Sequence, residues 1–196
     1  IGDRRQRQMC IRDRSAAVDA LAVGRTFDAG TQGLVYLDND DVSENQRLFV
    51  ISAGNVSELD VDHLSRSDTE AILDPGQAWN ALCVGAFTSL ATITDDEWDG
   101  WSPVADAGDL SPWSSTSVTF QSQWPLKPDI VMEGGNTVRN DEDEVDFPCE
   151  ELSLLSTHFR PAEKPLVLTW ATSAAAAQAA RLTAAIAADY PDFWPE

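Results

Sequence analysis

Three short apolar runs limit what this chain can fold into more than any other feature. Residues 47–53 (RLFVISA), 81–87 (ALCVGAF) and 127–132 (KPDIVM) are each too short for a helix and lie between turn-forming residues. A strand with one wet face alternates apolar and polar side chains. An uninterrupted apolar run reads instead as a strand buried on both faces, as in a parallel sheet. A weaker fourth run covers 152–157. Two helices are predicted beside these strands. Residues 15–23 (SAAVDALAV) place apolar side chains at helical spacing and open on Ser15, a favoured cap. Residues 172–189 are Ala-rich, Ala being the best helix former, and Pro191 stops that helix. Together these elements predict an α/β fold with a mostly parallel β-sheet flanked by helices. Residues 24–46 read as loop with a short apolar run at 34–37, and the acidic stretch 135–150 (GNTVRNDEDEVDFPCE) as a surface loop. No internal repeat is visible.

Charge narrows the partners. The 196 residues carry 13 basic and 33 acidic side chains, a net charge of −20. Nucleic-acid binding requires clustered Lys and Arg, so no nucleic-acid partner is expected, and anionic lipid is equally disfavoured. No apolar run approaches the ~20 residues of a membrane span. Cys10, Cys83 and Cys149 are odd in number and lack CxxC spacing, which indicates neither a disulfide framework nor a zinc site. Unpaired cysteines lean towards a reducing cytoplasm.

The first residues differ in character from the rest. Residues 1–14 hold five of the basic side chains and two of the acidic ones, leaving 8 basic, 31 acidic and a charge of −23 on residues 15–196. No apolar stretch follows them, as a secretory signal would need. One reading is a basic arm for an acidic partner. The other treats 1–14 as a non-native leader, because Gln8 to Arg14 (QMCIRDR) looks like translated sequencing-adapter read-through. We expect the second and assign 15–196 to a single, incomplete domain, read from the middle of a gene.

Three separated stretches carry chemistry. Ser52-Ala53-Gly54-Asn55 closes a buried strand at its carboxyl end, the edge where open parallel sheets bind ligands. Read alone, Gly-Asn after a strand describes a turn. Thr172-Ser173 followed by Ala174 to Ala177 opens the long helix. A hydroxyl there is either an N-cap or a nucleophile facing unpaired amides and the positive end of the helix dipole. The third stretch runs from Leu110-Ser111-Pro112-Trp113-Ser114 to Lys127-Pro128-Asp129-Ile130-Val131-Met132-Glu133-Gly134-Gly135, a rigid approach to a strand and a tight exit.

In order and spacing these stretches resemble the subtilisin-like serine peptidases over residues 15–196. The matching segments are Arg47 to Asn55, Asp74-Pro75 through Asn80 to Val84-Gly85-Ala86, Lys127 to Val131, and Ala171-Thr172-Ser173-Ala174-Ala175. The resemblance implies an endopeptidase that cuts peptide bonds through an acyl-enzyme on Ser173. It implies that the Asn55 side-chain amide and the Ser173 N–H form the oxyanion hole. Ser52, Ala53 and Gly54 would line one wall of the pocket for the side chain before the cut bond. The substrate is then a peptide or protein.

Departures from the family pattern point to a divergent bacterial branch: Ala171 stands before Thr-Ser where the family has Gly, Ala177 replaces a Pro, and Glu133-Gly134 replaces Pro-Gly. Ala171 is expected to tolerate helical geometry and leave the chemistry intact. The family runs Asp, His, Ser along the chain, yet His63 and His158 both follow Asn55. His63 reads as a solvated residue of an acidic loop and His158 as structural. The missing Asp and His are expected in an absent N-terminal half of the same domain, and the chain as given is expected to be inactive. A non-catalytic subtilisin-like domain that binds peptides or partners is the alternative. No cofactor is expected. Structural calcium has no motif behind it: Asp38 to Asp41 and Asp141 to Glu144 offer oxygen ligands but no EF-hand loop, and read as solvated charge. Trp98, Trp101, Trp113 and Trp124 read as core or loop packing rather than a peptide cleft. No Gly-x-Ser-x-Gly elbow exists, and Asn55 speaks against a sedolisin-like site, which would place Asp there.

Overall fold

The computed structural model describes residues 14–28, 30–36, 46–120 and 122–191. Helix α1 covers residues 14–22. A hairpin of β1 (Arg25–Asp28) and β2 (Gly33–Tyr36) follows, so part of the predicted loop is antiparallel sheet. Residues 37–45, with the first acidic run, lie outside the described residues, as does Cys10.

The site rests on a three-stranded parallel sheet, β3 (Phe49–Ser52), β4 (Ala81–Phe87) and β6 (Ile130–Glu133), in the order β3-β4-β6. Phe49 pairs with Ala81 and Val84 with Ile130. These are the three apolar runs, but only β4 is covered on both faces as their composition predicts; β3 is half-buried along its length, and Val131 of β6 is exposed. Val84 and Ala86 pack against Ala175 and Ala179 of α3 (Ala171–Asp189) on one side. Cys83 packs with Ala53 and Ile72 on the other. The Ala run of α3 contributes nothing bulkier than methyl groups to this layer, which is filled from the sheet side by Val84, Val50, Leu82, Ile130 and Met132. Burial pushes the Cys83 thiol up to about 12, although nearby Lys127 opposes the shift. Such a thiol is a packing group, not a nucleophile.

Several local expectations are corrected. Ser15 does not cap α1: it lies within the helix, and both its N–H (2.8 Å) and its hydroxyl donate to Asp74. A partner 59 residues away outcompetes local capping. The fourth run forms β9 (Leu154–Thr157), but it pairs antiparallel with β10 (Leu166–Thr169), outside the parallel sheet. Residues 135–150 are not simply a surface loop. They contain β7 (Val138–Asn140) and β8 (Val145–Asp146), which form an antiparallel sheet with β5 (Trp101–Pro103). Val138 packs there with Cys149 and Leu152, and Trp98 and Trp101 lie against this cluster. The buried Asn136 is fully engaged. Its Nδ2 donates to the Leu90 and Ala105 carbonyls, and its Oδ1 accepts from the Ala105 and Thr137 amides. A polar residue is core here because its partners come with it.

The acidic residues 141–144 form the exposed β7–β8 connection, where Asn140 Oδ1 accepts from the Glu142 and Glu144 amides. Among the described residues no group of His, Cys, Asp or Glu is arranged to hold a metal ion, Cys83 and Cys149 are free thiols, and no helix is long and apolar enough to cross a membrane.

Candidate active site

Strand direction places β3 so that Ser52, Ala53, Gly54 and Asn55 emerge at the carboxyl edge of the parallel sheet. The chain 113–116 then binds this exit. Val56 N–H donates to the Trp113 carbonyl (3.0 Å), Ser115 N–H to the Gly54 carbonyl (3.1 Å), and Asn55 bridges Ser114. The Ser114 hydroxyl oxygen accepts from the Ala86 amide of β4 (3.0 Å). Asn55 is thereby fixed on two sides while its side chain stays exposed.

The start of α3 is held to the same edge through β6. Ala171 N–H donates to the Gly134 carbonyl (2.7 Å), and Gln178 Nε2 reaches the Glu133 carbonyl (2.7 Å). Gly134 has no alternative: a Cβ there would lie 2.3 Å from the Ala86 Cβ. Glu133, the family departure, uses both carboxylate oxygens, accepting from the Gly135 amide and from the Ser89 amide and hydroxyl.

These anchors bring Asn55 and the helix start together across 117 residues. Asn55 Oδ1 accepts from the Thr172 amide (3.2 Å) and from the Thr172 hydroxyl (2.7 Å). An amide N–H needs an acceptor, so the oxygen of the Asn55 carboxamide must face Thr172. Its Nδ2 is turned the other way and has no partner among the described residues. Thr172 is fully buried, and Ser173, one residue on, is exposed. Adjacent backbone nitrogens are at most ~3.7 Å apart, so the Ser173 N–H lies no more than ~7 Å from Asn55 Oδ1. That N–H is among the first four helix amides, which have no carbonyl partner within the helix.

The capping reading of Thr172 and Ser173 does not hold. The cap residue is Trp170, without a side-chain cap bond, and both hydroxyl residues sit inside the first turn. Ala171 also corrects an expectation. It is not in helical geometry but at φ 69°, the left-handed region where a Cβ costs about 1–2 kcal/mol. Glycine, which the family resemblance places here, meets no such cost. We predict that Ala171→Gly stabilises the protein by ~0.5–1 kcal/mol, the relieved strain less the added freedom of the unfolded chain. Urea unfolding checks this, and a loss of stability would show the strain to be absent.

The wall residues are placed unequally. Ser52 is half-buried, Ala53 is fully buried, and Gly54 is buried at φ 100°. The histidines lie apart from this constellation in character. His63 is not solvated: it is 7% exposed at the start of α2 (His63–Thr69), with Nε2 buried and without a hydrogen-bond partner among the described residues. A sequence reading misses this because the acidic neighbours are used locally: Asp62 caps α2, accepting from the Ser65 amide, and Asp60 accepts from the Asp62 amide. His158 braces the β9–β10 connection, its Nδ1 accepting from the Arg160 amide (3.1 Å). Missed from the sequence was an aromatic group beside the helix start: Trp113, Phe147 and Trp170 lie with ring centroids 5.9–6.1 Å apart. The sequence offers Trp113 only as a single tryptophan, since the contact joins three distant segments.

Comparison with known proteins agrees with this architecture. Residues 9–196 match the model of the subtilase family, peptidase S8. No curated protein and no solved structure matches the chain. With a parallel sheet delivering an asparagine to the first turn of an Ala-rich helix, and a family match over nearly the whole length, the chain belongs to the subtilase family of serine peptidases.

Proposed function

We propose that this chain carries the nucleophile and oxyanion hole of a serine endopeptidase. Ser173 Oγ attacks the carbonyl carbon of a peptide bond and gives up its proton to a base. The tetrahedral oxygen receives hydrogen bonds from Asn55 Nδ2 and the Ser173 N–H. Collapse expels the amine, which takes the proton from the base, and water then releases the acyl group. The supporting observation is the Asn55–Thr172 pair, which commits the acceptor end of the carboxamide to the helix and leaves its donor end unengaged near an exposed serine. Preorganised donors of this kind stabilise the intermediate without rearrangement.

The base and its orienting carboxylate are assigned to chain preceding residue 15, in keeping with the Asp, His, Ser order of the family. Without them Ser173 is an ordinary hydroxyl and the chain alone is inactive. The substrate class is peptide or protein, no cofactor takes part, and the strongly acidic surface disfavours nucleic acid. A reducing compartment agrees with the free thiols of Cys83 and Cys149.

An alkyl fluorophosphonate applied to the protein expressed with its upstream coding sequence tests the reading. Ser173 should be labelled, and Ser173→Ala should remove the label. A folded, unlabelled protein would instead support the non-catalytic peptide-binding reading.

A further inference from the structure

Two glycines in succession give a chain its widest conformational freedom, yet the turn that ends β6 has a fixed task. Gly134 presents the carbonyl that receives the Ala171 N–H (2.7 Å), while its own N–H donates to Phe87 of β4 (2.8 Å). Gly135 follows at φ 75°, and a Cβ built there would lie 2.8 Å from the Leu152 carbonyl oxygen. Glu133 supplies the restraint that the glycines lack. Its Oε1 accepts from the Gly135 amide (2.8 Å), closing a loop around Gly134. Its Oε2 accepts from the Ser89 amide (2.7 Å) and hydroxyl (2.6 Å), just beyond the end of β4. The Glu133 carbonyl receives Gln178 Nε2 (2.7 Å), about two turns along α3 from Ala171. Residues 133 and 134 thus grip α3 at two points, and the carboxylate ties that grip to the end of β4.

Resting on the proposed function, we infer that Glu133 is a positioning residue for Ser173: its carboxylate holds the Gly134 carbonyl where Ala171 meets it, and so sets where the first turn of α3 presents the hydroxyl. Ser173 stands two residues after Ala171, which is held at φ 69° against its own preference. A strained residue keeps its conformation only while its surroundings impose it. The bond from the Ala171 N–H to Gly134 is part of that imposition, and the glycines by themselves give it no rigid base. Glu133 acts through the backbone and not on the substrate. It also stands where the resemblance places proline, whose ring would fix the backbone covalently. Here three hydrogen bonds to one carboxylate take that part, and bonds to a charged acceptor are roughly twice as strong as neutral ones. The placement matters because a shift of about 1 Å at the reacting groups costs on the order of 100-fold in rate.

Glu133→Gln and Glu133→Ala, in the protein expressed with its upstream coding sequence, test this with an alkyl fluorophosphonate. Gln keeps one acceptor oxygen and turns a donor towards the remaining amide, and Ala keeps no acceptor. The limiting rate of Ser173 labelling should fall about tenfold in the Gln variant and about 100-fold in the Ala variant. The half-saturating probe concentration should stay as in the wild type, because binding is not what Glu133 sets. Hydrogen exchange at the Ala171 N–H reads its bond to Gly134 directly and should quicken at least about fivefold in both variants, with the Ala179 N–H unchanged. An unchanged limiting rate in a variant that melts like the wild type overturns the inference. So does a loss confined to the half-saturating concentration, or an unchanged exchange rate at Ala171. Should neither Glu133 variant fold, Ser89→Ala decides: this exposed change removes one of the three bonds and should slow the limiting rate about threefold, and an unaltered rate overturns the inference. If the wild type is labelled and the variants react like it, only the role of Glu133 falls. If the folded wild type goes unlabelled, the proposed function falls and takes this inference with it.

Discussion

In the protein expressed with its upstream coding sequence, replacing Asn55 by Asp should leave the fold intact and nearly abolish the reaction with a fluorophosphonate. The new carboxylate can still accept from the Thr172 amide and hydroxyl, as Oδ1 does now. Placed at the start of α3, its charge also meets the positive end of the helix dipole, which favours it by about 0.3–1 kcal/mol. What it cannot do is donate. Removing one oxyanion donor is expected to slow acylation about 10²–10³-fold, a magnitude established for subtilisin, a member of this same family, and carried over to this chain. Asn55→Ala should lose the same reactivity and also destabilise the fold by ~1–3 kcal/mol, because the buried Thr172 donors are left without an acceptor. Labelling kinetics and thermal melts on both variants separate the two roles. Undiminished labelling of Asn55→Asp would remove Asn55 from the oxyanion hole.

The second large effect lies at the opposite edge of the same sheet. The Lys127 side chain is only 2% exposed, and its Nζ donates to Asp129 Oδ2 (2.7 Å) and to the Ala81 carbonyl (2.9 Å). Asp129 Oδ2 also accepts from the Cys83 amide (2.7 Å), so one carboxylate ties β4 to the lead-in of β6. Asp129→Ala would strand a buried ammonium group, and we expect a loss of about 3–5 kcal/mol. Lys127→Met should cost clearly less. It fills the volume with an apolar chain, and Asp129 keeps the Cys83 amide and a partly exposed position. Urea unfolding followed by tryptophan fluorescence gives both values. Equal losses would mean that the pair contributes through packing alone and not through the burial of charge.

Much of the frame was legible before the structure. Residues 47–53 and 81–87 contain β3 and β4, 127–132 covers all of β6 but Glu133, and 172–189 lies within α3. A strand buried on both faces has to be apolar along its length, and an Ala-rich run has few conformations to choose from, so the signal is local in each case. Strand direction then put Ser52 to Asn55 at the carboxyl edge without further information. The four ordered segments sufficed to recognise the family, and the family match bears that out.

Other features depend on partners far along the chain, and these the sequence withheld. His63 looks solvated among aspartates, yet it is buried once Asp62 caps α2. Asn136, Thr137 and Val138 look like the start of an acidic loop, yet they are fully buried because the Leu90 and Ala105 carbonyls come to meet Asn136. Ser15 looks like a cap until Asp74 arrives to take its hydroxyl.

By itself, then, the sequence determined the sheet, the helix that lies on it and the edge at which chemistry would be found, since all three follow from local apolar pattern and chain direction. Only the tertiary structure decided that Asn55 turns its oxygen to Thr172, that Ala171 is held at φ 69°, and that the Glu133 carboxylate closes around Gly134 and reaches Ser89. Hydrogen bonds and steric contact act over a few ångströms. The residues they join here stand up to 117 positions apart, a separation across which no local pattern carries information.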